Sequence, residues 1–274
     1  MDKEEFKVLS DKLPTVNFPL SMTDDSNGNL FITYIEGLLA LGGAKGGAYK
    51  YNIETGEVTD ISPNGRSIGK ISIDKNDPKK LVTRICRVWL PLWWGQIDQE
   101  GVVYGDWFFR SNDGDTTWIN ITLGQQGKTS DKTAYFISKP LSNNGHKWIT
   151  NKAIHWGIAT VIDPRNNNKI ITLSGNGIFI CDNVWDEKEV QFYFDPKGEE
   201  EVVPSDLVTV KGGPVHSSIF DYDRFIYEDL EQIPIQYEPN VGSTNLIAVC
   251  HQNPNILMRV ASLEEKAYYS TDTG

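Results

Sequence analysis

The stretch Trp107-Phe108-Phe109-Arg110-Ser111-Asn112-Asp113-Gly114-Asp115-Thr116-Thr117-Trp118-Ile119-Asn120-Ile121 decides the fold class. An alternating apolar run arrives, a polar turn reverses it, and a second alternating run leaves from Trp118. A period of two marks strands with one covered face. Ser and Asp side chains in such a turn bond nearby backbone groups and hold the reversal. The stretch therefore predicts a β-hairpin, with Trp118 folded back over it. The residues Tyr268-Tyr269-Ser270-Thr271-Asp272-Thr273-Gly274 repeat the same opening after another aromatic strand.

Ser111, Asp113, Thr117 and Trp118 together resemble the Asp-box, Ser-x-Asp-x-Gly-x-Thr-Trp, which lies between the third and fourth strands of certain β-propeller blades. Asp115 stands where that motif has Gly, and Gly114 comes one residue early. Ser270–Gly274 matches the first half of the motif and stops before its Thr-Trp. An Asp-box is a fastener, so it predicts a fold and not a chemistry.

Composition agrees with an all-β chain. The 274 residues include 24 Gly, 13 Pro and 8 Trp, and long helical periodicity is missing. A net charge of -11 argues against a phosphate-backbone partner. No apolar run is long enough to span a membrane. Cys86, Cys181 and Cys250 are odd in number and far apart, which suits buried small apolar residues better than a disulfide framework. The four His residues show no ligand spacing, so neither metal nor cofactor is expected.

Internal repeats organise the rest. Ile71-Ser72-Ile73…Asp77-Pro78, Val161-Ile162-Asp163-Pro164 and Ile247-Ala248-Val249…Asn253-Pro254 share one shape: apolar strand, Pro turn, apolar strand. They recur at nearly equal intervals, each about two blades at roughly 40–50 residues a blade. The reading is about five four-stranded blades: Leu30–Ile61, Ile68–Ile121, His155–Phe194, Leu207–Asp229 and Thr244–Ser270. Residues 124–152 are polar and turn-rich and read as a connector or long loop. Lys197–Glu201 reads as an exposed acidic turn. Five blades do not obviously close a ring, so the chain reads as an internal piece of a longer protein.

Taken in order, the motifs resemble the middle of a glycoside hydrolase family 74 enzyme, the xyloglucanase and oligoxyloglucan-hydrolase family. The residues that carry this are Gly47-Ala48-Tyr49-Lys50…Asp60-Ile61-Ser62-Pro63, Ser111–Trp118, His155-Trp156…Ser174-Gly175-Asn176-Gly177-Ile178-Phe179, Ser217–Leu230 and Asn253–Gly274. The resemblance implies two seven-bladed propellers with a substrate cleft between them. Residues 1–123 are then the last blades of an N-terminal propeller and 153–274 the first blades of a second. It also implies an inverting hydrolysis by two Asp residues, one from each propeller. Such a pair needs an acid for the leaving oxygen and a base for water, with carboxyls roughly 6.5–9.5 Å apart.

By that resemblance Asp221 is the general acid, with Asp223 as the backup. Phe220 and Tyr222 are placed to desolvate the Asp221 carboxyl, and Asp223 adds like charge. Phe220 and Arg224 stand where the family has Gly, and Arg224 is positioned to salt-bridge Asp221 and keep it ionised. The family's base segment is mimicked by Gly43–Tyr49, but Ala44 occupies the Asp position. The chain alone is thus expected to hydrolyse nothing efficiently. Trp93 and Trp94, adjacent in a Pro- and Gly-flanked loop, and Trp156 beside His155 are the candidates for sugar contact. Asn120-Ile121-Thr122 fits a glycosylation sequon only by chance. The implied partner is a polysaccharide, most of all xyloglucan, with neither nucleic acid nor membrane. Met1–Glu5 is not a secretory signal; the resemblance implies an extracellular enzyme whose leader lies outside this stretch, the alternative being cytoplasmic. The rival function is a non-catalytic propeller that binds a glycan or protein, as a pseudoenzyme or like sortilin-type receptors, which bring disulfides. A sialidase needs an arginine triad, and Arg84, Arg87, Arg110, Arg165, Arg224 and Arg259 show no such arrangement in sequence.

Overall fold

The computed structural model describes residues 8–9, 11–37, 45–86, 90–92, 103–122, 145–146, 148, 154–188, 190–195, 202–209, 212–262 and 266–273. Trp93, Trp94, Ala44, Lys197–Glu201 and most of the 124–152 connector lie outside the described residues. The named elements are all strands, and they fall into two compact units. One comprises residues 1–144 and 151–198; the other comprises 145–150 and 199–274.

The first unit holds three four-stranded sheets of the propeller-blade kind. Sheet 1 runs β1 (Phe18–Asp24), β2 (Asn29–Ile35), β3 (Gly46–Asn52) and β4 (Val58–Asp60), each antiparallel to the next. Sheet 2 is built from β5 (Ser72–Ile73), β6 (Leu81–Arg84), β9 (Phe108–Ser111) and β10 (Ile119–Asn120), while β7 (Leu90–Leu92) and β8 (Val103–Gly105) form a separate ribbon. Sheet 3 contains β11 (Thr160–Asp163), β12 (Asn166–Ser174), β13 (Gly177–Cys181) and β14 (Phe192–Phe194). Alternation produces the packing: Ile170, Thr172 and Ser174 of β12 are buried while the residues between them are exposed.

The core between sheets 1 and 2 gathers Phe31, Ala48, Ile61, Ile68, Ile71, Leu81, Ile85 and Phe109, with Trp107 and Trp118 against it. The Ser111–Trp118 turn is tied as expected: Ser111 Oγ donates to Asp113 Oδ1 at 2.8 Å, and Thr117 N–H and hydroxyl both reach the Asp113 carboxylate. Trp118 also reaches further than the sequence suggests. It crosses to the preceding sheet, where its Nε1–H donates to Ile61 O at 2.8 Å. It therefore staples two blades, packing on a core that includes Phe109 of its own hairpin. Asp115, at φ +78°, occupies the left-handed region and pairs with Lys50 of sheet 1 at 3.0 Å.

Sheets 2 and 3 are joined by charge as well as by packing. Arg84, fully buried at 0 % side-chain exposure, pairs with the equally buried Asp106. It also donates to Thr172 Oγ1 at 2.8 Å and to Leu173 O of sheet 3. Asp106 Oδ2 accepts the Gly157 N–H at 3.3 Å. A Cβ on Gly157 would sit 2.1 Å from Leu173 O and 2.3 Å from Arg84 Nη1, so only glycine fits. This pairing also explains why the expected strand Val103–Arg110 breaks in two. Asp106 leaves the ladder to meet Arg84, and β8 and β9 lie on either side of it. Arg110 reaches the Val184 and Asp186 carbonyls of the same neighbour.

The second unit holds a four-stranded sheet 4, with β15 (Val203–Thr209), β16 (Val215–Phe220), β17 (Asp223–Tyr227) and β18 (Ile235–Gln236), and a sheet 5 with three described strands, β19 (Thr244–Val249), β20 (Leu257–Ala261) and β21 (Lys266–Ser270). Trp148 packs edge-on against Tyr222, ring centroids 4.8 Å apart, and also contacts Phe225. Asp223, at 0 % exposure, is the electrostatic centre of the unit. Arg259 grips both its oxygens. Thr244 Oγ1 donates to Oδ1 at 2.6 Å and Val241 N–H to Oδ2 at 2.9 Å. Nearby, the Tyr237 hydroxyl meets buried His216 at Nδ1. Burial, with the Arg224 charge adding to it, pulls the His216 pKa below its ordinary 6.5.

Removing one member of a buried ion pair strands the other without water. Arg84→Ala is expected to cost the first unit about 3–5 kcal/mol in urea denaturation, and Asp223→Ala a similar amount in the second unit. A loss under about 1 kcal/mol in either case overturns the assigned role. His216 sets a pH trend. Its folded pKa lies below its unfolded one, so the unfolded chain binds the extra proton first. Stability of the second unit should fall as pH drops below 6.5 and level off once the folded imidazole also titrates. His216→Gln should flatten that slope in thermal melts between pH 7 and 5.

Candidate functional site

Asp221 and Asp223 lie two residues apart on the reversal between β16 and β17, and both have left-handed backbone, φ +69° and +65°. That geometry separates them. Asp223 turns inward to Arg259, Thr244 and Val241. Asp221 is exposed at the tip, where its N–H donates to Ser243 Oγ at 2.8 Å. Ser243 is itself buried beside the Asp223 cluster, and Asp223 N–H donates to Gly242 O at 2.9 Å. The tip is thus pinned from below, and its carboxyl faces water.

Two of the expected neighbours behave differently from the sequence reading. Arg224 approaches Asp223, Nε to Oδ1 at 3.6 Å, and lies over the Tyr237 ring at 4.0 Å. Among the described residues Asp221 forms no ion pair. Burial, with the Arg259 charge adding to it, pulls the Arg224 pKa down to about 10. Tyr222 is buried against Trp148, whereas Phe220 is 38 % exposed beside Asp221. Burial raises the Tyr222 phenol, and the Asp221 charge raises it further.

His155 and Trp156 lie in the first unit. The structure brings them onto the turn Ser174–Gly177 that joins β12 to β13, uniting two segments nearly twenty residues apart in sequence. Gly175 N–H donates to His155 O at 2.8 Å, and Ser174 Oγ donates to the same carbonyl at 3.0 Å. Asn176 Nδ2 lies 3.3 Å from His155 Nε2. A Cβ on Gly175 would press on Trp156 Cβ at 3.2 Å. Trp156 itself has φ +57° and is 39 % exposed. A bulky residue in that backbone region carries roughly 1–2 kcal/mol of strain. It persists only where the surroundings impose it.

Other candidate chemistry is absorbed by structure. Cys86 and Cys181 are buried and Cys250 half-buried, all three as free thiols. The Cys181 thiol is pushed up to about 12 by burial. Asn120 and Thr122 are bonded to each other, and the Thr122 hydroxyl also contacts the Phe108 backbone. Arg84, Arg110 and Arg259 are committed to buried contacts. Among the described residues no cluster of three His, Cys, Asp or Glu is placed to hold a metal ion. No helix long and apolar enough to cross a membrane is present among the described residues.

Comparison with known proteins supplies the context. No family model matches the chain. A xyloglucanase of a Paenibacillus species is 28% identical over 94% of this chain and 25% of its own length. The Acetivibrio thermocellus xyloglucanase is 27% identical over 91% of this chain and 31% of its own. The crystal structure of the Niastella koreensis family 74 enzyme superposes with a TM-score of 0.76 at 28% identity, covering 98% of this chain and 36% of that one. The chain thus spans about a quarter to a third of the length of the relatives it matches. In sequence and in backbone course alike, this chain is a homologue of the glycoside hydrolase family 74 xyloglucanases.

Proposed function

We propose that the chain is part of a glycoside hydrolase that cleaves β-1,4-glucan backbones, with xyloglucan as the leading substrate and Asp221 as the general acid. The reading rests on the homology to enzymes named xyloglucanases. One observation carries it to a residue: Asp221 stands exposed on a strained, pinned turn, clear of any ion pair among the described residues. An acid needs access to the leaving oxygen and freedom from a permanent cation, and this placement supplies both. Asp221 would pass its proton to the glycosidic oxygen as the bond to the anomeric carbon breaks. The partner carboxylate would take a proton from the water that attacks the opposite face. Asp223, held by Arg259, serves as the anchor of the turn.

Trp156 and His155 are proposed as sugar contacts, the indole offering its face to pyranose C–H groups. Trp93 and Trp94 remain in the proposal on sequence grounds. The homology to xyloglucanases makes an extracellular setting part of the proposal. The disulfide-bearing receptor alternative finds no support in three free thiols.

Two measurements test the reading. In a polypeptide that also supplies the base, Asp221→Asn should lower reducing-sugar release from xyloglucan by roughly 10²–10⁴-fold while leaving the melting temperature unchanged. Unchanged release removes Asp221 from the mechanism. In the present chain, Trp156→Gly should raise stability by about 1 kcal/mol by relieving the backbone. The same variant should bind xyloglucan oligosaccharides about 3–10-fold more weakly in calorimetry. A stability gain with no change in affinity makes Trp156 a bystander.

A further inference from the structure

The two backbone N–H groups that flank Tyr222 find acceptors of different kinds. Asp223 N–H goes to a main-chain oxygen, Gly242 O, at 2.9 Å. Asp221 N–H goes to a side chain, the Ser243 hydroxyl, at 2.8 Å. That hydroxyl stands on a fixed base. Ser243 is 5 % exposed. Its carbonyl accepts Ser262 N–H at 3.0 Å and the Ser262 hydroxyl at 3.3 Å, and Ser262 directly follows β20. Ser243 also forms a parallel bridge with Asp223. Sheet 5 thus presents the acceptor, and sheet 4 presents the turn that needs it.

The far side of Asp221 is held by other means. Gln236 Nε2 donates to Tyr222 O at 2.8 Å. The Tyr222 ring, 5 % exposed, is clamped edge-on by Trp148. Trp148 comes from residues 145–150, which pack with this unit although residues 151–198 belong to the other. A Cβ on Gly145, at the head of that segment, would lie 2.8 Å from Ile233 Cδ1, so the segment is closely seated.

Peptide groups are planar, so the direction of a Cβ follows once the planes on both sides of its Cα are set. Asp221 is exposed, and its carboxyl takes its aim from the backbone. A φ of +69° is unfavourable for a residue with a Cβ and lasts only under outside constraint. Gln236 and Trp148 constrain the residue after Asp221, and Ser243 constrains the peptide before it. With the Ser243 hydroxyl removed, that peptide can rotate, and the carboxyl swings with it.

We propose that Ser243 is a positioning residue for Asp221: its hydroxyl sets the peptide plane ahead of the turn and so the line along which the carboxyl points. The catalytic consequence rests on the reading of Asp221 as the general acid; the clamp itself does not. A displacement of about 1 Å at a reacting group costs up to roughly 10²-fold in rate.

Two arms test it. In the present chain, Ser243→Ala should speed amide exchange at Asp221 by roughly 5-fold, the weight of one hydrogen bond, and leave exchange at Asp223 as it was. Ser243→Thr, which keeps the hydroxyl, should hold the parent rate. The catalytic arm uses a polypeptide that also supplies the base. It compares xyloglucan with the dinitrophenyl glycoside of a xyloglucan oligosaccharide, whose leaving group departs as a phenolate and needs no proton. Ser243→Ala should lower kcat on xyloglucan by roughly 10–10²-fold at unchanged KM. It should leave the dinitrophenyl rate at the parent value, and Ser243→Thr should restore most of the loss. Asp221→Asn is the reference and should show the same selective loss, larger in size. Parent-like kcat in Ser243→Ala beside a selective loss in Asp221→Asn overturns the positioning role and keeps the acid. Equal losses on both substrates make Ser243 a structural support and overturn the role as well. No loss in Asp221→Asn overturns the acid reading, and an unchanged Asp221 amide overturns the clamp itself.

Discussion

A guanidinium that has left water needs acceptors from the protein, and the two terminal nitrogens of Arg84 impose that condition on the first unit. Its partners come from two sheets: Asp106 from sheet 2, Thr172 and the Leu173 carbonyl from sheet 3. The strand containing Asp106 is interrupted to supply the carboxylate, and Gly157 is bare of side chain to let the group through. The second unit solves the same problem with the charges exchanged: Asp223 is the buried centre, and Arg259, Thr244 and Val241 converge on it. Buried ion pairs add little net stability over an apolar core, because desolvation offsets attraction. What they contribute here is register. A sheet displaced by one residue leaves a full charge unmet.

This division between greasy packing and buried charge explains how far the sequence could be read. Alternation and turn chemistry located every four-stranded sheet, since both are local. The edge strand β1 escaped notice because its residues are exposed or half-buried along the whole length, so it carries no one-sided pattern. The split of Val103–Arg110 escaped because its cause lies at Arg84, outside any local window. The reach of Trp118 to the preceding sheet escaped for a related reason. A period of two tells which face a residue takes but not which neighbour covers that face.

The site was legible in residue identity but not in division of labour. Asp221 and Asp223 differ by two positions, which in a regular strand would place them on one face. Left-handed backbone at both positions removes that equivalence and leaves one carboxylate at the tip and the other in the interior. The expected salt bridge between Arg224 and Asp221 does not form for the same reason: the inward carboxylate is the one the arginine approaches. His155 and Trp156 were singled out from the segment they begin, yet their backbone setting depends on the Ser174–Gly177 turn, a contact that alternation cannot reveal. Trp156, Asp221 and Asp223 share a left-handed backbone with the turn residues Ser26, Asp115 and Thr273.

The grip of Arg84 and Arg110 on sheet 3 has a consequence for the covalent chain. These contacts, with Phe108 against Phe192 at 5.4 Å, join elements that stand on opposite sides of residues 123–153 in sequence. The polypeptide through that interval is not what keeps sheets 2 and 3 together. With the chain severed ahead of Gly145, the contacts of Arg84, Arg110 and Phe108 would still hold sheets 2 and 3 to each other.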